Sequence, residues 1–270
     1  MEPQVVIILM TNKLLFAGCS FTAECGFTKE NAAKYHWPIL LSKHYDSTYT
    51  NIAIGGMSND EIFYRLVEAS THAYYDLIIV NWSSIGRKWV YYSDKNIDDF
   101  TVANHHNMLN DVNFMDEELK KYLKLHYSYF DNHYIALKHW LLQINALQNI
   151  FSNKNQKYIF IKGFSNYIAE VSKVKFLNEQ FVMFSEELKK LFDFHNRPDY
   201  YILEKINVLK SLIETIDRSK WINFDGLSFL DMQIDYADDQ SHPGAETNKL
   251  LVNKLIEHID TNNLLNIESI

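Results

Sequence analysis

The stretch that decides the fold is "KLLFAGCSFT", residues 13–22, in which an apolar run ends at Gly18 and two small side chains with nucleophilic atoms follow, Cys19 and Ser20. A continuous apolar run of this kind is typical of a strand that is buried on both faces. A serine in the turn after such a strand is exposed among backbone N–H groups, which is one requirement of a nucleophile. The alternative interpretation is a strand-ending turn in which the serine is only structural.

Four further apolar runs predict strands, at residues 50–56, 76–82, 157–164 and 220–226. Helical patterns lie between and after them, at residues 58–70, 133–151 and 245–259. The first of these begins with Ser58 three residues before Glu61, which is the spacing of a capping box. Strands alternating with helices predict one α/β domain over residues 1–270, with a central parallel sheet of about five strands and helices on both sides.

Two segments are longer than simple crossover connections require. They lie at residues 88–132 and 165–220, are rich in aromatic and charged side chains, and are predicted to be mostly helical insertions. In an open α/β sheet, ligands bind at the carboxyl ends of the strands, so such insertions commonly shape the pocket. We therefore expect them to determine the choice of substrate.

Charge and hydropathy exclude several partners. The net charge of −8 and the pI near 5.7 argue against a nucleic-acid partner, because phosphate binding needs clustered Lys and Arg. The run "VVIILM", residues 5–10, is too short to span a bilayer, and Glu2 precedes it where a secretory signal carries positive charge. The sequence therefore predicts a cytoplasmic protein that binds neither nucleic acid nor membrane.

The cysteines and the start of the chain lead to two smaller expectations. Cys19 and Cys25 are the only cysteines, so one disulfide is the maximum and a reducing compartment fits. Met10 is an alternative start, in which case residues 1–9 are an N-terminal extension.

An Asp-x-x-His pair, Asp239 and His242, lies just before the last helical pattern. In a turn, this spacing brings the two side chains to one side. The carboxylate then accepts a hydrogen bond from one imidazole nitrogen and leaves the other free as a base. Pro243 fits the first turn of the helix that follows.

Gly56 lies in "NIAIGGMSN", residues 51–59, directly after the second predicted strand. A loop at this place runs beside Ser20, where the N–H of Gly56 is free to point at a developing oxyanion. The alternative is a glycine needed only for a positive φ at a strand-to-helix turn.

Three separated blocks, in this order, resemble the SGNH, or GDSL-like, hydrolase superfamily over nearly the whole chain. The blocks are Gly18-x-Ser20, Asn51-x-Ala53-x-x-Gly56 and Asp239-x-x-His242. The resemblance implies a three-layer flavodoxin-like fold and an esterase mechanism without a cofactor. The α/β-hydrolase elbow, Gly-x-Ser-x-Gly, is excluded because Thr22 stands where it needs glycine.

The resemblance also assigns roles. Ser20 matches the nucleophile, His242 the general base and later general acid, and Asp239 the residue that orients the imidazole. Gly56 and the backbone of Ser20 match donors to the oxyanion hole. Cys19 is a less suitable nucleophile, since alternation at the strand end turns it away from the face that Ser20 uses.

The third block of the family, Gly-x-Asn-Asp, is replaced here by "VNWSSIGRKW", residues 80–89. Asn81, Ser83 and Ser84 are alternative donors to the oxyanion, and Arg87 is a candidate to face the pocket. Losing one such donor lowers the rate by roughly two to three orders of magnitude in other enzymes.

The remaining candidates are interpreted as structural. Five histidines lack the neighbours of a metal site, so no metal is expected: His105, His106, His126, His133 and His139. The aromatic runs at residues 89–94 and 122–130 fit core or pocket-wall packing better than stacking on sugar rings.

The sequence thus predicts a serine esterase or deacylase that acts on a small-molecule or glycan ester, such as an O-acetyl group on a carbohydrate, with acyl transfer as a variant. A hypothesis of another class is a non-catalytic carbohydrate- or partner-binding protein that keeps the fold. The altered third block favours the binding protein, and the intact Ser20, Asp239 and His242 favour the enzyme.

Overall fold

A central parallel sheet organises the molecule. The computed structural model describes residues 12–91, 100–104, 121, 133–164, 199–222, 224 and 227–265. The sheet contains β1 (Lys13–Gly18), β2 (Thr48–Asn51), β3 (Leu77–Trp82) and, after a separate strand pair, β6 (Tyr158–Lys162), all parallel and in the order β2-β1-β3-β6. The predicted α/β class is confirmed.

The second and fifth predicted strands differ from expectation. β2 lies at Thr48–Asn51 instead of residues 50–56, because the Asn51 side chain accepts a hydrogen bond from the Ala53 N–H and turns the chain out of the sheet. The fifth strand is reduced to one parallel bridge between Phe160 and Trp221, at the outer edge of β6. With this bridge, the strand order is that of flavodoxin-like folds.

Helices of the described residues flank the sheet: α1 (Lys29–Tyr35), α2 (Trp37–His44), α3 (Asn59–His72), α4 (His133–Asn153), α5 (Asp199–Glu214) and α6 (Ala245–Thr261). The Ser58 hydroxyl accepts a hydrogen bond from the Glu61 N–H at 3.3 Å, so the predicted N-cap of α3 is formed. Short 3-10 turns lie at Arg218–Lys220 and Leu230–Met232.

The helices form two groups, one on each face of the sheet. α1, α2 and α6 pack together, and α4 packs against both α3 and α5. Phe16 in β1 contacts Trp37 of α2, whereas Trp82 in β3 contacts Trp140 of α4. Side chains alternate along a strand, and Phe16 is paired with Ile79, three residues before Trp82, so the two contacts lie on opposite faces. The architecture is therefore three-layered.

The prediction of a mostly helical insertion at residues 88–132 is wrong in its first part. β4 (Arg87–Tyr91) and β5 (Phe100–Asn104) form an antiparallel pair instead. Aromatic and β-branched residues make up most of these two runs, and such residues favour strands over helices. Apart from Lys121, residues 105–132 lie outside the described residues, as do His105, His106 and His126.

The second predicted insertion, at residues 165–220, is described only from residue 199 onward, where α5 and a 3-10 turn lie. The extension at residues 1–9 also lies outside the described residues. The division into one domain stays a prediction. Among the helices that the structure describes, none has the length and apolar character needed to cross a membrane.

Candidate active site

Ser20 lies in a tight turn at the carboxyl end of β1. The N–H groups of Thr22 and Ala23 both donate to the Cys19 carbonyl, at 2.9 and 3.1 Å, so the chain curls back directly around the serine. A Cβ on Gly18 would lie 2.4 Å from Thr22 Oγ1, which is why only glycine allows this close return. Ser20 is buried, with 7% of its surface exposed.

Side chains from three other elements hold the main chain of this turn. Trp37 Nε1 donates to the Phe21 carbonyl at 2.8 Å, and Asn51 Nδ2 donates to the Thr22 carbonyl at 2.6 Å. His36 Nε2 accepts from the Glu24 N–H at 3.2 Å. The turn after β1 is therefore fixed by α2, by the end of β2 and by the residue between α1 and α2.

Asp239 and His242 lie in a second tight loop, which is closed by an antiparallel bridge between Tyr236 and Pro243. His242 Nδ1 lies 2.5 Å from Asp239 Oδ2, and the His242 N–H donates to Asp239 Oδ1 at 3.0 Å. With Nδ1–H donated to the carboxylate, Nε2 is the imidazole nitrogen with an available lone pair. The predicted pairing of the two side chains is present.

The helix after this loop begins later than the sequence suggested. α6 starts at Ala245, so Pro243 lies before its first turn. Asp235 caps the helix instead, because its carboxylate accepts from the N–H groups of Glu246 and Thr247, both at 2.9 Å. Asp235 thereby fixes the point at which the loop with His242 joins α6.

The Asp239 carboxylate is held ionised. Desolvation raises its pKa, but hydrogen bonds from the N–H groups of His242 and Ser241, from the Ser241 hydroxyl and from the imidazole outweigh this and hold the pKa well below its usual range. An ionised carboxylate at Nδ1 stabilises an imidazolium and orients the ring. The pair is therefore suited to general-base chemistry.

The loop with His242 packs directly on the turn with Ser20. The ring of Phe21, next to Ser20, meets the His242 ring edge-on with centroids 5.8 Å apart. The Asp239 N–H donates to the Gly26 carbonyl at 3.1 Å. Within the described residues, however, Ser20 Oγ forms no hydrogen bond, either to His242 or to any other group. Such bonds are often long in unliganded enzymes and tighten when the substrate binds.

The two predicted backbone donors to the oxyanion hole have no hydrogen-bond acceptor among the described residues. The N–H groups of Ser20 and Gly56 donate no hydrogen bond within the part of the chain that the structure describes. Gly56 has φ +81°, and a Cβ there would meet no atom within 4 Å, so the residue faces open space. The positive φ and the free N–H are both present, so neither interpretation of this glycine is excluded.

The candidate side chains at the end of β3 and in the segment after it lie in different surroundings. The Asn81 amide is fully buried beside Gly163, and neither its nitrogen nor its oxygen has a partner in the described structure. Ser83 Oγ accepts from Arg87 at 3.0 Å, and Ser84 Oγ accepts from the Gly86 N–H at 3.3 Å. A hydroxyl that accepts a hydrogen bond keeps its own proton for donation, so Ser83 and Ser84 both stay predicted donors. The Asn81 amide, which has no partner in the described structure, also stays a predicted donor.

Sequence reasoning missed Asn59, His36 and Gly26. Asn59, in the first turn of α3, donates to the Ser83 carbonyl at 3.1 Å and accepts from the Ser83 N–H at 2.8 Å. The position of Asn59, directly after the N-cap Ser58, is the signal that would have pointed to it. In the described residues, no group of three or more His, Cys, Asp and Glu side chains has the arrangement of a metal site.

Gly26 packs directly against the side chain of His242. It has φ +90°, and a Cβ there would lie 2.6 Å from the Cβ of His242. Only a residue without a side chain lets the two loops approach this closely.

His36 makes the stability of the turn dependent on pH. Burial lowers its pKa from 6.5 to about 4, so the folded protein keeps the ring neutral where the unfolded chain protonates it. The free energy of unfolding should therefore fall by about 2 kcal/mol between pH 7 and pH 5 from this residue alone. Urea unfolding at the two pH values measures this.

The matched variants for this pH effect are His36→Gln, which keeps an acceptor for the Glu24 N–H, and His72→Gln at an exposed site. The first should remove the acid-dependent loss and the second should retain it. An unchanged loss in His36→Gln would show that other groups are responsible.

The fold agrees with the family resemblance found in the sequence. The sheet order and the meeting of the first and last sequence blocks at its carboxyl edge are as the resemblance implied. The predicted three-layer flavodoxin-like fold is confirmed. No family model and no curated protein matches the chain.

Several solved structures are similar to the chain. The psychrotrophic esterase EstA from Pseudoalteromonas sp. is 14% identical over 93% of this chain and 98% of its own, with a TM-score of 0.45. TesA is 13% identical over 94% and 99%, with a TM-score of 0.47. The acetyl xylan esterase AlAXEase is 13% identical over 92% and 99%, with a TM-score of 0.43.

Proposed function

We propose that this chain is a serine esterase or deacylase of the SGNH type that hydrolyses a small ester. The observation that carries the proposal is the contact between two loops at one sheet edge: a turn presents Ser20, and the Asp239–His242 pair packs against it. An O-acetylated carbohydrate is the first substrate class to test.

In the proposed reaction, His242 Nε2 removes the proton of Ser20 as Oγ attacks the ester carbonyl. Asp239 holds the imidazole by Nδ1 and stabilises the imidazolium that forms. The tetrahedral oxyanion accepts hydrogen bonds from the N–H groups of Ser20 and Gly56, with Asn81 or Ser83 as a third donor. His242 then protonates the departing alcohol, and water, activated by the same residue, releases the acid from the acyl-enzyme.

A non-catalytic binding protein is the second candidate. The observation in its favour is that Ser20 Oγ and His242 are not hydrogen-bonded, together with a third block in which Ser83 Oγ is bound to Arg87. Acyl transfer to a second alcohol uses the same acyl-enzyme and differs only in what replaces water.

A fluorophosphonate probe distinguishes the enzyme from the binding protein. Its phosphorus mimics the tetrahedral centre, so an activated Ser20 should be labelled at this one serine, as peptide mapping would show. Cys19→Ala should label equally, since Cys19 is fully buried and takes no part. Folded wild-type protein that resists several such probes would support the binding protein.

Substituting Gly26→Ala should impair both stability and turnover. A side chain at φ +90° costs about 1–2 kcal/mol, and its Cβ would displace His242. A displacement on the order of 1 Å lowers turnover by about 100-fold. Urea unfolding and kcat/KM for an acetyl ester measure the two effects.

Gly86→Ala is the matched control, because the nearest atom to its new Cβ would lie at 3.7 Å, an ordinary contact. It should change neither quantity appreciably. Full turnover in a destabilised Gly26→Ala protein would contradict the proposed place of His242.

A further inference from the structure

Arg87 is a half-buried cation at the same sheet edge as Ser20. It follows the carboxyl end of β3 and donates from Nη1 to Ser83 Oγ at 3.0 Å. Its guanidinium lies over the ring of Phe164, with Cζ 5.0 Å from the ring centroid. Both contacts fix the orientation of the guanidinium without neutralising it.

An aromatic stack joins Arg87 to the candidate triad. Phe164 stacks on Phe21 with centroids 4.7 Å apart and an angle of 14° between the rings. Phe21 follows Ser20 in the chain and meets the His242 ring edge-on. Phe21 and Phe164 both follow carboxyl ends of strands, so the stack forms one wall between the nucleophile and the cation.

Within the described residues, no carboxylate forms an ion pair with Arg87. Arg87 and Asp60 both line a shallow pocket between α3 and α4, and the Asp60 carboxylate accepts from Gln143 Nε2 at 2.5 Å. In contrast, Arg65, on the neighbouring helix α3, is paired with Glu61 at 3.1 Å. In a chain with a net charge of −8, an oriented arginine that has no acidic partner among the described residues indicates an anionic ligand.

We infer that Arg87 binds an anionic group of the ester substrate, a carboxylate or a phosphate, while the ester lies at Ser20. A guanidinium fork matches both anions in a bidentate manner, and the stacked rings of Phe21 and Phe164 join this cation to the candidate triad. This inference rests on the proposed esterase function and specifies its substrate class.

Matched esters test the inference. The first pair is 4-acetoxybenzoate and its methyl ester, in which the charge is on the alcohol half. The second pair is 4-nitrophenyl hemisuccinate and its methyl ester, in which the charge is on the acyl half. 4-Acetoxyphenyl phosphate tests phosphate in place of carboxylate. In wild type, at least one anionic ester should exceed its neutral reference in kcat/KM, mainly through KM.

The decisive quantity is the ratio of kcat/KM for anionic over neutral ester. Arg87→Gln should lower this ratio by about 10- to 100-fold, since one charge-assisted pair is lost. Arg87→Lys should retain part of it. Arg218→Gln, which removes an exposed arginine elsewhere, should leave the ratio unchanged. A ratio that is the same in wild type and Arg87→Gln for every pair would overturn the inference.

Binding to Ser20→Ala separates this inference from the esterase proposal. Calorimetry with the same esters measures the preference for the anion without turnover. If the Ser20→Ala protein binds the anionic esters selectively, Arg87→Gln removes this selectivity, and the wild-type protein hydrolyses none of the esters, the anion site is supported and the esterase is rejected. Hydrolysis without any anion preference in turnover or binding would reject the anion site alone.

Discussion

Ser20→Ala is expected to lower kcat for an acetyl ester by about 10⁴-fold or more, because the variant cannot form the acyl-enzyme and retains only the residual catalysis of the oxyanion site. Steady-state hydrolysis of 4-nitrophenyl acetate measures the loss, and fluorophosphonate labelling should disappear with it.

The fold should survive this change. Ser20 Oγ forms no hydrogen bond in the described structure, so its removal leaves no partner unsatisfied. The thermal midpoint of Ser20→Ala should therefore stay close to that of wild type. A Ser20→Ala protein that is folded and hydrolyses the ester at the wild-type rate would reject Ser20 as the nucleophile.

Asp239→Asn should have the second-largest effect, a loss on the order of 10⁴ in kcat by the precedent of serine proteases. The new amide still accepts from the N–H groups of Ser241 and His242, so the loop persists. Its NH₂ group, however, favours an imidazole that accepts at Nδ1 and carries its proton at Nε2. This is the wrong tautomer for a base.

The adjacent Asp238 provides a matched control. Its carboxylate accepts from the Thr28 N–H at 2.8 Å and from Asn31 Nδ2, and it does not contact His242. Asp238→Asn should therefore stay within a few-fold of wild-type activity. Equal losses in the two variants would indicate a general effect of charge or folding rather than the tautomer of His242.

Local patterns predicted the parts of the site that depend on neighbours in the chain. The end of β1 at Gly18, the cap at Ser58 and the pairing of Asp239 with His242 each span a few residues, so their geometry follows from backbone conformation. The contact of the first and last blocks was predictable only through the resemblance, because it joins segments more than 200 residues apart.

The parts of the fold and of the site that the sequence did not predict depend on tertiary packing, which no local pattern encodes. Asn59 binds Ser83 across 24 residues, and Phe164 stacks on Phe21 across the sheet edge. The antiparallel pair of β4 and β5 depends on the pairing of Arg87–Tyr91 with Phe100–Asn104, which neither run specifies by itself. Whether Asn81 or Ser83 serves the oxyanion depends on side-chain direction, which spacing does not determine.

The main chain of the turn around Ser20 is held by side chains from other parts of the fold. Trp37, Asn51 and His36 bind the carbonyls of Phe21 and Thr22 and the N–H of Glu24, and none of these bonds involves the side chain at position 20. The side chain at position 20 can therefore be replaced by another of similar size without loss of these hydrogen bonds. Ser20→Cys would place a thiol at nearly the same point, so the acyl-enzyme would be a thioester, with the rest of the turn unchanged.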